Sequence, residues 1–230
     1  AGITGVKTLL APGGVFLVEA YYLGDLIKQN LFDTIYHEHL SYFTVSTVSR
    51  LFQRLGMELF DVERTDTHGG SLRLYVQKAS GPHQINRAAI TRFTSEESRD
   101  RLADPKTYAA FAASIERNRK LLTDLLNRLK GAGKRIVGYG APAKSTPLLH
   151  SLGIGKETLD YIVDDSPLKQ GRFTPGTRIP VVASSELARQ QPDYVLILAW
   201  NFAQPIMEKL AGFRKTGGRF ILPVPEPTLI

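Results

Sequence analysis

Arg135-Ile136-Val137-Gly138-Tyr139-Gly140-Ala141-Pro142-Ala143-Lys144-Ser145 decides the fold class. Arg135–Tyr139 reads as a buried strand, Gly140-Ala141-Pro142 as a turn, and Ala143–Leu152 as a helix with apolar groups at helical spacing. Toward the C-terminus the alternation continues: strand Leu159–Val163, short helix Ser184–Gln190, strand Tyr194–Ala199, helix Phe202–Phe213 and strand Arg219–Val224. Strands separated by helices at this interval predict right-handed crossovers and an α/β domain with a doubly wound parallel sheet over residues 134–230. Ligands of such sheets bind at the carboxyl ends of the strands. Three stretches fall on that edge: Gly138–Thr146, Asp164–Pro167 and Trp200-Asn201.

Toward the N-terminus, Lys106–Lys130 places Phe111, Ile115, Leu122, Leu125, Leu126 and Leu129 at helical spacings, so residues 81–133 read as a helical connector. Residues 1–80 read as strand, loop, helix and hairpin. A Pro-Gly-Gly turn leads into a strand at 15–20, and a polar-aromatic loop follows. Val48, Leu51, Phe52 and Leu55 then mark a helix with Ser46 or Thr47 as N-cap and Gly56 as its stop. Met57–Arg64 and Ser71–Lys78 form the hairpin, with Thr67-His68-Gly69-Gly70 in its turn.

Composition narrows the class. At 230 residues and 43% hydrophobic, the chain can bury one good core or two small ones, and its net charge of +7 is too modest for a disordered or nucleic-acid-binding chain. Residues 81–134 hold +5 of that charge on a helical segment, with no basic-aromatic stripe. The absence of Cys excludes a disulfide framework, a thiolate zinc site and a Cys nucleophile within these residues. No apolar run approaches the roughly 20 residues of a membrane span, and no signal-peptide pattern opens the chain. A soluble, cytoplasmic protein with no membrane partner is expected. The chain opens on Ala1 and soon enters a strand with nothing upstream to pair with, so an N-terminal portion is expected to be missing. A missing fragment or another chain is then the expected cover for the edge of that strand.

Three clusters can carry chemistry. Tyr36-His37-Glu38-His39 sets four polar groups between Ile35 and Leu40. Adjacent residues converge poorly on a tetrahedral metal, so no metal site is assigned. As an acid–base cluster, a His takes a proton at neutral pH, a carboxylate orients it and a Tyr hydroxyl stabilises a developing oxyanion. A polar capping loop explains the same residues equally well. In His68-Gly69-Gly70-Ser71-Leu72-Arg73, His68 and Arg73 can face an anion, although a hairpin turn needs glycine in any case. In Gly138–Thr146, the start of a helix combines with Gly140, Lys144 and Ser145 into a phosphate site. The stretch departs from a Walker A loop at Ala143 and lacks the third glycine of a dinucleotide fingerprint. Asp164 or Asp165 can bond a ribose hydroxyl, with turn capping as the plain alternative; for Trp200 that alternative is burial.

These elements, in this order, resemble the sugar C-methyltransferases of deoxysugar biosynthesis. The resemblance covers nearly all of the chain. It rests on L-L-A-P-G-G-V-F at 9–16, Y-H-E-H at 36–39, H-G-G-S-L-R at 68–73, G-Y-G-A-P-A-K-S at 138–145 and D-D-S-P-L-K-Q-G-R-F-T-P-G at 164–176. It implies that residues 1–80 are the C-terminal half of a class I methyltransferase sheet and that 134–230 are a Rossmann-like nucleotide-sugar-binding domain. It further implies S-adenosylmethionine as cofactor, gripped mostly upstream of Ala1, and zinc only in an N-terminal domain of relatives. The family's Tyr-Asp-Glu-His motif has His37 in its second place here, which keeps Tyr36, Glu38 and His39 in register.

By that resemblance His39 is the base that removes a proton beside the ketone of a nucleoside-diphosphate-linked sugar. Glu38 orients it or touches the sugar, and Tyr36 donates near the oxyanion. His68, Arg73, Gly140, Lys144, Ser145, Asp164, Trp200 and Asn201 are the expected substrate contacts. Two other classes compete. A noncatalytic nucleotide or nucleotide-sugar binding module uses the Gly138–Ser145 loop and asks nothing of Tyr36–His39. An NAD-dependent oxidoreductase on the C-terminal domain is disfavoured by the missing third glycine.

Overall fold

The computed structural model describes residues 2–230, apart from the side chain of His68. It contains two compact units: residues up to Gln29 with Leu40–Ala110, and Asn30–His39 with Phe111–Ile230. The expected division was into three segments, 1–80, 81–133 and 134–230. The observed boundary instead falls inside a long helix, and residues 30–39 go with the second unit.

The first unit contains α1 (Gly2–Leu9), β1 (Phe16–Tyr21), α2 (Leu23–Lys28), α3 (Val45–Arg54), β2 (Met57–Thr65), β3 (Ser71–Lys78) and α4 (Arg87–Arg99). α2 occupies part of what reads in sequence as a loop. The sheet has the order β1-β3-β2 with both pairings antiparallel, Val18 opposite Leu74 and Leu59 opposite Val76. Val48 and Phe52 of α3 and Phe93 of α4 pack with Leu59, Leu74 and Val76 into one core. β1 pairs with β3 along one edge, and among the described residues no strand pairs with its other edge. The N-cap of α3 is Thr44, not the expected Ser46 or Thr47; Thr44 and Thr47 exchange side-chain and backbone hydrogen bonds as a capping box. The Glu97 carboxylate also accepts from Val45 N at 2.6 Å and Ser46 N at 3.0 Å.

α5 (Pro105–Gly131) runs through the division. The second unit continues with β4 (Ile136–Tyr139), α6 (Ser145–Leu152), β5 (Ile162–Val163), β6 (Val181–Val182), α7 (Ser185–Gln190), β7 (Tyr194–Ile197), α8 (Ala203–Lys209), α9 (Ala211–Lys215), β8 (Arg219–Leu222) and β9 (Thr228–Leu229). The expected single helix over Phe202–Phe213 is two short ones. The sheet order is β6-β5-β4-β7-β8-β9. Its first five strands are parallel, and β9 adds an antiparallel edge that the sequence reading did not include. β4 and β7 are buried along their whole length, as the two central strands of a doubly wound sheet must be. The chain winds outward from β4 to β6, then returns to β7 and winds the other way. The β4/β7 boundary is therefore the topological switch point, where open α/β sheets open a crevice for ligands.

Residues 30–39 belong to this unit through specific polar ties. Ser114 Oγ of α5 donates to Asn30 Oδ1 at 2.9 Å, and Phe32–Thr34 forms a single buried 3₁₀ turn that packs against α6. Among the described residues, no helix is long and apolar enough to cross a membrane.

Candidate functional site

The site is built at the switch point. Gly140 leaves β4 with φ +87°, and a Cβ there would lie 2.6 Å from the Ala199 Cβ, so only glycine lets the β4 and β7 exits approach this closely. Lys144 follows on the way into α6, and Trp200-Asn201 follow β7 in a short 3₁₀ turn. The buried Lys144 ammonium lies 3.5 Å from the centre of the Trp200 ring and donates to Asn201 Oδ1 at 2.6 Å. This is a cation–π contact combined with a hydrogen bond, which suits a cation taken out of water. Burial pushes Lys144 down to about 8, and the charge of Asp33 opposes that fall.

Asp33 is the residue that sequence reading missed. Its side chain is fully buried, and its Oδ2 accepts from the Trp200 indole N–H at 2.5 Å. Burial raises its pKa; Lys144 and the indole hydrogen bond pull the other way. A lone acid inside Leu31-Phe32-Asp33-Thr34-Ile35 was the available signal, because a carboxylate among apolar neighbours needs a partner.

Tyr36, Glu38 and His39 follow directly. His39 Nδ1 lies 2.8 Å from the Thr34 carbonyl. A carbonyl only accepts, so Nδ1 carries the proton and, in the neutral ring, the lone pair is on Nε2. The Tyr36 and His39 rings meet at 4.4 Å between centres, and Tyr36 Oη reaches Glu38 Oε2 at 3.5 Å, the outer limit of a hydrogen bond. Burial, then the Glu38 charge, raises the Tyr36 pKa, which keeps its hydroxyl a donor.

The other predicted residues have occupations of their own. Ser145 Oγ donates to Pro142 O at 2.7 Å, while the N–H groups of Ser145 and Thr146 bond Pro142 O and Ala143 O. Asp164 accepts from Ala141 N at 2.7 Å, Ser166 N at 2.9 Å and Lys169 Nζ at 3.2 Å. It clasps two strand-end loops together, so a ribose hydroxyl would have to displace one of those donors. Asp165 takes Tyr139 Oη at 3.0 Å and Lys209 Nζ at 2.6 Å. Arg73 lies in the first unit on β3, paired with Glu19 at 2.9 Å and approached by Glu63 at 4.0 Å. The backbone of His68 forms part of a 3₁₀ turn, and its side chain lies outside the described residues. The structure thus brings together Gly140, Lys144, Trp200 and Asn201, adds Asp33, and leaves Arg73 with two carboxylates of its own sheet.

A family model described as the C-methyltransferase C-terminal domain matches residues 66–225, including the β4 and β7 exits and the Lys144 loop. The chain belongs to this family. C-methyltransferase NovU of Streptomyces niveus is 41% identical to it over 228 residues, covering 99% of this chain and 54% of that protein. The chain therefore spans about half the length of the curated relative it matches. Tyr36–His39 lie before the matched C-terminal domain but within the length shared with that relative.

Proposed function

We propose that this chain is the substrate-holding and proton-abstracting part of an S-adenosylmethionine-dependent C-methyltransferase that acts on a nucleoside-diphosphate-linked keto-deoxysugar. The observation that carries the reading is the His39 ring held by the Thr34 carbonyl beside Tyr36 and Glu38. With Nδ1 protonated, Nε2 takes the proton from the carbon beside the ketone. The C–H bond breaks, an N–H bond forms, and the electron pair moves onto the ketone oxygen as an enolate. Tyr36 donates a hydrogen bond toward that oxygen, and Glu38 compensates the imidazolium charge. The nucleotide is assigned to the switch-point edge, supported by the convergence there of Gly140, Lys144, Trp200 and Asn201.

The Gly140 turn is not the cradle of the methyl donor in this reading. In the glycine turn after β4, Gly140 N bonds Val163 O, Ala141 N bonds Asp164, and Ala199 fills the space above Gly140. On this reading most of the donor's grip comes from residues other than those described, and the proton step belongs to this chain.

The test is His39→Asn in the full-length enzyme, followed by deuterium exchange at the sugar carbon next to the ketone. Turnover should fall by at least ~100-fold, the scale of a lost general base, with exchange falling alongside it. Exchange at the wild-type rate would place the base elsewhere.

A further inference from the structure

Asp33 is used by none of the chemistry above, yet its placement is costly. It is fully buried, one carboxylate oxygen accepts from Trp200 at 2.5 Å, and Oδ1 has no hydrogen-bond partner. A buried carboxylate left half satisfied weakens a fold, and an apolar residue of similar size would avoid that cost. A charge-assisted hydrogen bond, however, fixes direction as well as distance.

What it fixes is the turn in which it sits. Thr34 N and Thr34 Oγ1 both bond Leu31 O, at 3.2 and 2.7 Å, and Ile35 N bonds Phe32 O at 3.0 Å. The turn is a rigid unit with Asp33 at its middle. Its last carbonyl, from Thr34, is the one that holds His39 Nδ1. On the other side, Trp200 is itself held: Lys144 lies on its face and is tied to Asn201. A line of fixed groups therefore runs from Asn201 through Lys144, Trp200 and Asp33 to the Thr34 carbonyl and the His39 ring.

We infer that Asp33 is a positioning residue for His39: its bond to Trp200 sets the Phe32–Thr34 turn so that the Thr34 carbonyl holds the imidazole in the Nδ1–H tautomer. The inference rests on the reading of His39 as base. A turn that drifts releases the ring to the other tautomer, in which Nε2 bears the proton and cannot accept one. The backbone neighbour of a histidine decides which nitrogen is basic.

The experiment reads tautomer and turnover separately. In full-length protein labelled with ¹⁵N-histidine, long-range ¹H–¹⁵N spectra report which nitrogen is protonated, with His39 assigned by the loss of its signals in His39→Asn. The wild type should show the Nδ1–H form. Trp200→Phe keeps a smaller aromatic ring beneath Lys144 and removes the indole donor; Asp33→Asn deletes the charge. Both should shift His39 toward a mixture and lower kcat by about tenfold, the low end for loss of a group that orients a functional histidine. In Asp33→Asn, KM for the nucleotide sugar should stay within about twofold, because the defect acts in the transition state; Trp200→Phe, which also alters a proposed nucleotide contact, is read by tautomer and kcat alone. Circular dichroism identifies folded variants, and Trp200→Phe serves alone if Asp33→Asn does not fold. A folded Trp200→Phe that retains the Nδ1–H tautomer and the wild-type kcat overturns the inference. A shifted tautomer with unchanged kcat upholds the positioning role and removes His39 as the base.

Discussion

The Trp200 indole N–H meets the Asp33 carboxylate at 2.5 Å across 167 residues of sequence. Neither residue alone explains the other: the acid needs a donor to be buried at all, and the indole end would otherwise lack an acceptor. Hydrogen bonds to a buried charge contribute roughly 1.5–3 kcal/mol and cost more when only one partner is removed. The pair also places the only tryptophan of the chain at the switch point, where its emission reports directly on the site.

The proposed nucleotide binding can therefore be followed without a label. Titration of a nucleoside diphosphate should change Trp200 emission, and Lys144→Ala should weaken the affinity measured by calorimetry by about tenfold, the scale of a lost charge-assisted contact. Unchanged affinity in a folded variant would move the diphosphate away from Lys144.

The same lysine makes stability depend on pH. Burial holds it at about 8 in the fold, whereas an unfolded lysine titrates near about 10.4. Below pH 8 both states bind the proton, and the fold bears the full cost of a buried ammonium. As pH rises from there toward the unfolded value, the native state gives up its proton while the unfolded state keeps it, so stability increases. Relative to Lys144→Met, the wild type should gain up to about 3 kcal/mol over that window. Urea midpoints at pH 7 and 10 give the comparison; parallel profiles for the two proteins would rule it out.

Glu97 should matter to the first unit more than any exposed acid. Its two oxygens close the backbone N–H groups that open α3, so Glu97→Ala leaves buried donors without acceptors. A loss of about 2–4 kcal/mol is expected. Glu97→Gln keeps one acceptor and should cost less than half as much. Thermal or urea unfolding measures both.

Gly140 and Gly133 form a matched pair for the switch point. Both have positive φ, but a Cβ at Gly133 meets nothing within 4 Å, while one at Gly140 collides with Ala199. Gly133→Ala should cost only backbone strain, about 1–2 kcal/mol. Gly140→Ala adds overpacking and should cost about 2–5 kcal/mol. Equal losses would mean that the close approach of the β4 and β7 exits is unimportant.

The parallel sheet was legible because β4, β7 and β8 are apolar runs with turn residues at both ends. β6 and β9 were not, since each is two residues long and directly follows a proline, which reads as a turn. α2 was hidden because its one-sided burial rests on only six residues, one of them glycine. Among the candidate site residues, spacing pointed to Gly140, Lys144, Trp200 and Asn201 through the strand ends on which they sit. Asp33 and Glu97 were invisible for a shared reason. Each is defined by partners 51 or more residues away, and propensity and pattern report only local neighbours. The occupation of Asp164 was also closed to sequence reading, because the same acid at a strand end can serve a ribose or a backbone N–H.

The assignment of residues 30–39 to the second unit governs how the chain can be assembled and divided. The stretch is flanked on both sides by residues of the first unit, so its partners on α6 and after β7 are synthesised long after it. The turn at Asp33 must wait for Trp200 before its buried carboxylate is compensated. Contacts that close so large a loop form late in folding. A fragment beginning at Phe111 would contain every strand of the larger sheet and still lack its seal, leaving the Trp200 donor and the Lys144 cation without the acid they were built around. The second unit has no contiguous gene segment, and an excised version needs residues 30–39 supplied in trans or grafted back.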